Sequence, residues 1–290
     1  MSSSFLPDDP AVQLRNLCFG YPDRPCGGAG RTVLEGVGLA VERGRFVSVV
    51  GPSGCGKSSL LNLVAGLARP TSGSVEVSGR PVTGPQPSVG YVFQQDVLLP
   101  WKTLLQNVAL GPLLAGMERA ARTGLARDWL RRVGLAGFED SYPHQVSGGM
   151  RRRAAIAQTW ITDPDILLMD EPFGSVDVQT RQLLGDELLA LWADSAKTVL
   201  FVTHDLEEAV SLSDEVVVLS SGPGSTIVDR FDVPLERPRA LMDIRTGPEF
   251  REIYAHIWDS LRGEVARAQG RTEPSADAAA DAAADAGRLR

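Results

Sequence analysis

The chain has 290 residues, 43% of them hydrophobic and 22% charged, which suits one large or two small compact domains with a real core. Its formal net charge of -7 argues against a nucleic-acid binder, whose affinity comes largely from neutralising phosphates, and against adsorption onto anionic lipid. Three cysteines, Cys18, Cys26 and Cys55, form no CxxC pair and accompany only three histidines, which speaks against a disulfide framework or a zinc site and for reduced thiols in a cytosolic protein. Met1 to Pro10 lacks a basic region followed by an apolar one, and no apolar run approaches the roughly 18 to 20 residues that span a bilayer, so a cytoplasmic protein is expected.

Val12 to Phe19, Val37 to Val41 and Phe46 to Val50 read as strands, with Pro22 to Arg31 a surface loop rich in Gly, Pro and Arg. The third strand runs into Gly51-Pro52-Ser53-Gly54-Cys55-Gly56-Lys57-Ser58-Ser59 and then the helix-like run Leu60 to Leu67. Glycines let successive N–H groups point inward, and the following helix adds the positive end of its dipole, so this turn is suited to a polyphosphate. Lys57 would reach the β- and γ-phosphates and the Ser58 hydroxyl would hold Mg²⁺. At average residue frequencies the pattern G-x-x-x-x-G-K-[ST] arises by chance in such a chain on the order of once in a hundred. The strand before it and the helix after it make an accidental match rarer still.

Ser74 to Val77 and Val89 to Phe93 add two short strands. From Leu98 to about Trp160 the pattern turns helical, with Leu104, Leu105, Val108 and Leu113, then Leu125, Trp129, Leu130 and Val133. Ile166 to Met169, Val199 to Val202 and Val216 to Leu219 are fully apolar and separated by helix-length segments, the mark of a parallel sheet buried on both faces. The core is therefore expected to be α/β. Beyond Gly247, Phe250, Ile253, Ile257 and Leu261 outline an amphipathic helix. The final Ala-rich stretch carries Asp277, Asp281 and Asp285, like charges four apart that repel on a helix, and a disordered tail is expected there.

Several strand ends carry polar groups. Ile166 to Met169 leads into Asp170 and Glu171; parallel to the strand feeding the phosphate loop, it would set Asp170 beside Mg²⁺ and Glu171 near the γ-phosphate, able to accept a proton from water. Many buried strands end in an acidic residue, so the pair gains its meaning from the loop upstream. His204 ends the next strand, where an imidazole would contact the γ-phosphate, although a lone histidine at a strand end is more often a satisfied surface or core residue than a catalytic one. Gln94 is a strand-end amide able to reach Mg²⁺ and the water. Ser147-Gly148-Gly149-Met150 opens a helix, either as a plain Ser N-cap with two flexible glycines or as a second anion site for a γ-phosphate. Such a site on a separate lobe suggests service to ATP bound by another copy.

In this order and combination, these residues resemble the ATP-binding cassette (ABC) family over about Val12 to Asp229: the phosphate loop, Gln94, Ser147 to Met150, Asp170-Glu171, Ser175-Val176-Asp177 and His204. Within the family, Leu98-Leu99-Pro100-Trp101, Glu171-Pro172-Phe173-Gly174 and the later Arg237-Pro238-Arg239 and Pro248-Glu249-Phe250 look like importer ATPases of the nitrate, sulfonate, taurine and bicarbonate group. The resemblance implies a P-loop NTPase core with a mixed sheet, an N-terminal antiparallel portion and an inserted helical subdomain at about 96–162. The ATPase domain would span 12–235, a C-terminal helical extension 236–268 and the tail 269–290. It implies ATP and Mg²⁺ as cofactors and a head-to-tail homodimer in which the Ser147 to Met150 segment of one copy completes the site of the other. Tyr21 matches the aromatic that stacks on adenine, although a packed loop tyrosine fits the residue equally well, and Asp177 matches the residue that crosses the dimer seam. Catalysis would fall to Glu171, His204 and Lys57, and metal binding to Ser58, Gln94 and Asp170. Gln94 to Trp101 falls where the family contacts membrane permease subunits at the cytoplasmic face, a solute-binding protein being an indirect partner and nucleic acid none; an exposed Pro100-Trp101 pair or a buried one are both open. Departures are Val146 for the usual Leu, Arg152 for a common Gln, Gln158 for a usual Arg and Ser175 for a usual Ala. The alternative is a soluble ABC-type conformational switch without a transporter, but such chains usually carry two cassettes or a long coiled coil, and this one has one cassette and no heptads.

Overall fold

The computed structural model describes residues 9–22, 31–174, 176–195 and 197–268; Cys26, Ser175, most of the expected Pro22 to Arg31 loop and the Ala/Asp-rich tail lie outside them. In chain order the elements are β1 (Val12–Tyr21), β2 (Arg31–Val41), β3 (Phe46–Val50), α1 (Lys57–Val64), β4 (Ser72–Val77), β5 (Arg80–Pro81) and β6 (Val89–Val92). A helical stretch follows with α2 (Leu104–Val108), α3 (Leu110–Leu114), α4 (Arg119–Arg132) and α5 (Gly148–Trp160). The chain then returns to alternation: β7 (Ile166–Asp170), α6 (Val178–Ala193), β8 (Thr198–Val202), α7 (Leu206–Leu212), β9 (Glu215–Leu219), β10 (Ile227–Asp232), α8 (Leu241–Ile244) and α9 (Pro248–Ala268).

Two sheets result. An antiparallel sheet has the order β2-β1-β4-β5, and a second sheet has the order β10-β9-β3-β8-β7-β6, parallel throughout except for β10. Apolar strands β3, β7, β8 and β9 are buried at every residue, as expected for a sheet covered on both faces. α1 lies between the two sheets, and its Leu60, Leu61, Leu63 and Val64 form one core with Leu14, Leu39, Val49 and Leu200. On the opposite face Phe46 is fully buried, its ring 5.8 Å from Trp192 and 5.6 Å from Phe201. α1 stops early, at Val64, because Gly66 takes a left-handed φ of 73° and any Cβ there would meet the Gly84 carbonyl at 2.2 Å.

Three sequence-based boundaries change. β2 begins at Arg31, six residues before the expected Val37, because pairing with β1 carries it past register shifts. The stretch from Leu104 to Leu113 is helical as expected, divided at Ala109 into α2 and α3, and Leu113 on α3 is exposed. β10 escaped prediction because it is a largely exposed edge strand with no apolar run. Among the described residues no helix is long and apolar enough to cross a membrane.

Candidate functional site

β3 delivers the chain into the glycine loop, and Gly56, at φ 100°, turns it into α1. Only glycine accepts that backbone cheaply. Lys57 is buried and its Nζ donates to the carbonyls of Gly51 at 2.8 Å and Pro52 at 3.1 Å, which holds the ammonium inside the curl of the loop. Cys55 is also buried, and burial pushes its thiol up. A cleft of about 360 Å³ opens over the loop, lined by Ser53, Gly54, Gly56, Lys57, Ser58 and Ser59, with Glu171 at one side and Tyr21, Arg31, Thr32 and Val33 at another. Tyr21 is half exposed at the end of β1, edge-on to Phe19, with its hydroxyl 3.2 Å from Ser59 Oγ. It is therefore a cleft residue and not a packed loop tyrosine.

The strand order brings the acidic pair to the loop. Ser58 Oγ donates to Asp170 Oδ1 at 3.0 Å, and burial raises the Asp170 carboxyl while this hydrogen bond lowers it. Glu171 follows at φ 42°, an unfavourable backbone for a residue with a side chain, held by its N–H donating to Val202 O at 2.8 Å. Two polar groups meet the same carboxylate oxygen: Gln94 Nε2 donates to Glu171 Oε2 at 2.9 Å, and His204 Nδ1 lies 3.3 Å from it. β6, β7 and β8 are neighbours, so their C-terminal ends converge here.

Ser147 to Met150 does not line this cleft. Ser147 caps α5, its Oγ accepting from Met150 N–H at 3.3 Å, and Gly148 and Gly149 form the first turn. Asp177 is exposed and caps α6, accepting from Thr180 N–H at 2.9 Å, a bond that holds its carboxyl low. Of the departures, Val146 is buried in the helical core, and Arg152 is fully buried with its Nη1 donating to Phe93 O at 2.6 Å and lying 3.5 Å from Asp96. Nothing in the structure explains Gln158.

Sequence reasoning missed several contributors, among them Thr32 and Val33 of β2, which line the cleft. Gly222 and Pro223 form a wall of the cleft, and the Ser-Gly-Pro-Gly turn after an apolar strand was the available signal. Tyr91 is partly buried near Asp170, and burial pushes its hydroxyl up. Behind His204, Thr203 Oγ1 donates to Glu208 Oε2 at 2.6 Å, and Arg181 bonds Asp205 at 3.0 Å. Burial pushes the Glu208 carboxyl up to about 7, with Asp205 also raising it and Thr203 and Arg181 opposing. Because the folded value exceeds the unfolded one, this group's contribution to stability is full below the usual carboxylate range and is lost as the pH rises through about 7. Glu208→Gln is therefore expected to lose less melting temperature than the wild type between about pH 5 and pH 8, which paired thermal melts check.

A parallel sheet that feeds a glycine loop and a helix, with strand-end carboxylates beside it, defines a P-loop nucleotide-binding protein. The ABC transporter family model matches residues 34–174. The chain is 48% identical over 235 residues to an uncharacterised ABC transporter ATP-binding protein of Methanocaldococcus jannaschii, covering 81% of this chain and 86% of that protein. It is 44% identical over 225 residues to the taurine import ATP-binding protein of Yersinia pestis, covering 76% and 88%, and 42% identical over 237 residues to the bicarbonate transport ATP-binding protein of Synechocystis, covering 81% and 84%. Among solved structures, a dimeric ATP-binding cassette in a post-hydrolysis state with ADP and Pi superposes with a TM-score of 0.68 at 31% identity, over 78% of this chain and all of that one. A cassette of a Clostridium perfringens ABC transporter complex shares the fold with a TM-score of 0.69 at 21% identity, over 88% of this chain and 98% of that one. The chain belongs to the ABC transporter ATP-binding family and is an ABC ATPase.

Proposed function

We propose that this ATPase powers uptake of a small anionic solute of the nitrate, sulfonate, taurine or bicarbonate kind through a separate permease. Relatives named for taurine import and bicarbonate transport, at 44% and 42% identity, support the solute class. Hydrolysis is carried by Glu171, whose carboxylate accepts a proton from the attacking water, with Gln94 and His204 fixing its orientation. That convergence on one carboxylate oxygen, beside a phosphate loop, supports the reading most strongly. Lys57 and the loop N–H groups hold the phosphates, and Tyr21 packs on the base.

The Ser58 hydroxyl and the Asp170 carboxylate, 3.0 Å apart, are hard oxygen donors of the kind that hold Mg²⁺ together with phosphate oxygens and water. Gln94 adds a further oxygen at the edge. The metal, when bound, neutralises charge that develops on the phosphates. A cleft not lined by Ser147 to Met150 supports a head-to-tail homodimer in which that segment arrives from the second copy, with Asp177 at the seam. Phe93, Val97 and Trp101 are exposed beside Gln94, Trp101 at 69%, which supports docking of a permease there at the cytoplasmic face of the membrane. A solute-binding protein would be reached through that permease.

Pairing is the direct test. In light scattering, MgATP should convert Glu171→Gln, which cannot cleave the nucleotide, to a dimer, and adding Ser147→Arg, which places a bulky cation in the composite site, should prevent it while leaving nucleotide binding by the monomer intact. Pairing of the double variant at the same nucleotide concentrations would overturn the composite site.

A further inference from the structure

We infer that Glu264, on the C-terminal helix α9, is a positioning residue for the nucleotide cleft, holding the loop Ser220–Ser225 in the place where Gly222 and Pro223 form the cleft wall. The inference rests on reading that cleft as the ATP site. Glu264 is 4% exposed, unusual for a glutamate, and its Oε2 accepts from Ser221 N–H at 2.7 Å and Ser221 Oγ at 3.2 Å. Arg267, one turn on, pairs with its other oxygen.

The loop is set between α9 and the cleft. One end is tied to β2, with Gly224 N–H donating to Thr32 O at 3.4 Å and Ser225 N–H to Val33 O at 2.9 Å, and Thr32 and Val33 themselves line the cleft. Gly222 lies beside the phosphate loop: a Cβ there would make ordinary van der Waals contact, 3.7 Å from Gly54 O and 4.0 Å from Cys55 Cα. At the other end, immediately before Gly222, Ser221 has its N–H on Glu264. α9 is itself anchored, since Phe250, Ile257 and Leu261 are buried against β9 and α7 together with Val216, Val218 and Val210. A rigid helix thus holds the outer side of a loop whose inner side faces nucleotide, and a charged acceptor makes the stronger type of hydrogen bond.

Releasing Ser221 should loosen the wall without touching Glu171, Gln94 or His204. Glu264→Ala is expected to weaken MgATP binding and raise KM by up to about tenfold with kcat retained: the Ser221–Glu264 bond is made with and without nucleotide, so only the ordering it gives the wall enters the affinity. Glu264→Gln, which keeps an acceptor oxygen for Ser221 N–H, should restore most of the affinity. Calorimetric titration with MgATP, steady-state kinetics and nucleotide-free melting curves are measured on all three full-length proteins. Equal affinity in the wild type and Glu264→Ala overturns the inference, as does a loss of kcat alone or a loss of affinity that Glu264→Gln does not restore. If the wild type itself fails to bind MgATP, the reading of the cleft fails first.

Discussion

Glu171→Gln is expected to bind MgATP as the wild type does, to lose steady-state hydrolysis by about 10²- to 10⁴-fold, and to accumulate as a nucleotide-bound dimer. The amide keeps the size and the hydrogen-bonding shape of the carboxyl but cannot take a proton at neutral pH. The structure makes the site intolerant of substitutes. Glu171 sits at φ 42° at the end of β7, its N–H tied to Val202 O, so its carboxylate projects from a fixed point. Gln94 and His204 then select one orientation of that carboxylate. Gln94 has no basic atom and cannot replace it as base. In the proposed homodimer it is cleavage that lets the two copies part, so the dimer of Glu171→Gln should persist. Single-turnover hydrolysis and light scattering with MgATP read both halves of the expectation, and wild-type turnover by Glu171→Gln would place the base elsewhere.

Lys57→Ala should fail earlier in the cycle, weakening MgATP binding by about 100-fold through loss of the charge-assisted contacts to phosphate proposed for its ammonium. Lys57 is buried at the start of α1, and its ammonium bridges the carbonyls of Gly51 and Pro52. Removing it takes away the positive charge at the centre of the loop and leaves those two carbonyls without this donor. The loop then loses both its internal brace and its main attraction for polyphosphate. Isothermal titration with MgATP measures the affinity, and the circular dichroism spectrum distinguishes a local loss from an unfolded chain. Lys57→Met, which keeps the length and loses the charge, should behave as Lys57→Ala; wild-type affinity in both would exclude Lys57 as a phosphate ligand. The contrast between the two positions is itself informative. Glu171→Gln should separate binding from turnover, whereas Lys57→Ala should abolish turnover at ordinary ATP concentrations because binding fails.

What was readable in the chain was whatever local chemistry enforces. β3, β7, β8 and β9 were recognisable because buried parallel strands need apolar residues at every position. The phosphate loop was recognisable because a tight turn around an anion needs Gly51, Gly54 and Gly56 at set places, and the Ser147 cap because α5 needs an acceptor for its first N–H groups. β10 and the early part of β2 were not, since an exposed edge and an irregular register impose no such pattern. The helical spacing at Leu113 was readable and α3 forms there, but which face of that helix is buried was not: Leu113 stands exposed. Trp101 was open between two readings, and exposure at 69% decides for the surface.

By itself, then, the sequence determined that a strand, a glycine loop and a helix would form a phosphate cradle, and that carboxylate, imidazole and amide groups would stand at the ends of later strands. Those features follow from contacts between residues close in the chain. Only the tertiary structure decided that β8 lies between β3 and β7, that β6 flanks β7, and hence that Gln94 and His204 share one oxygen of Glu171. It also decided that Glu264, far along the chain, braces a wall of the same cleft. Strand order and helix docking depend on burial summed over distant segments, and no local spacing encodes that sum.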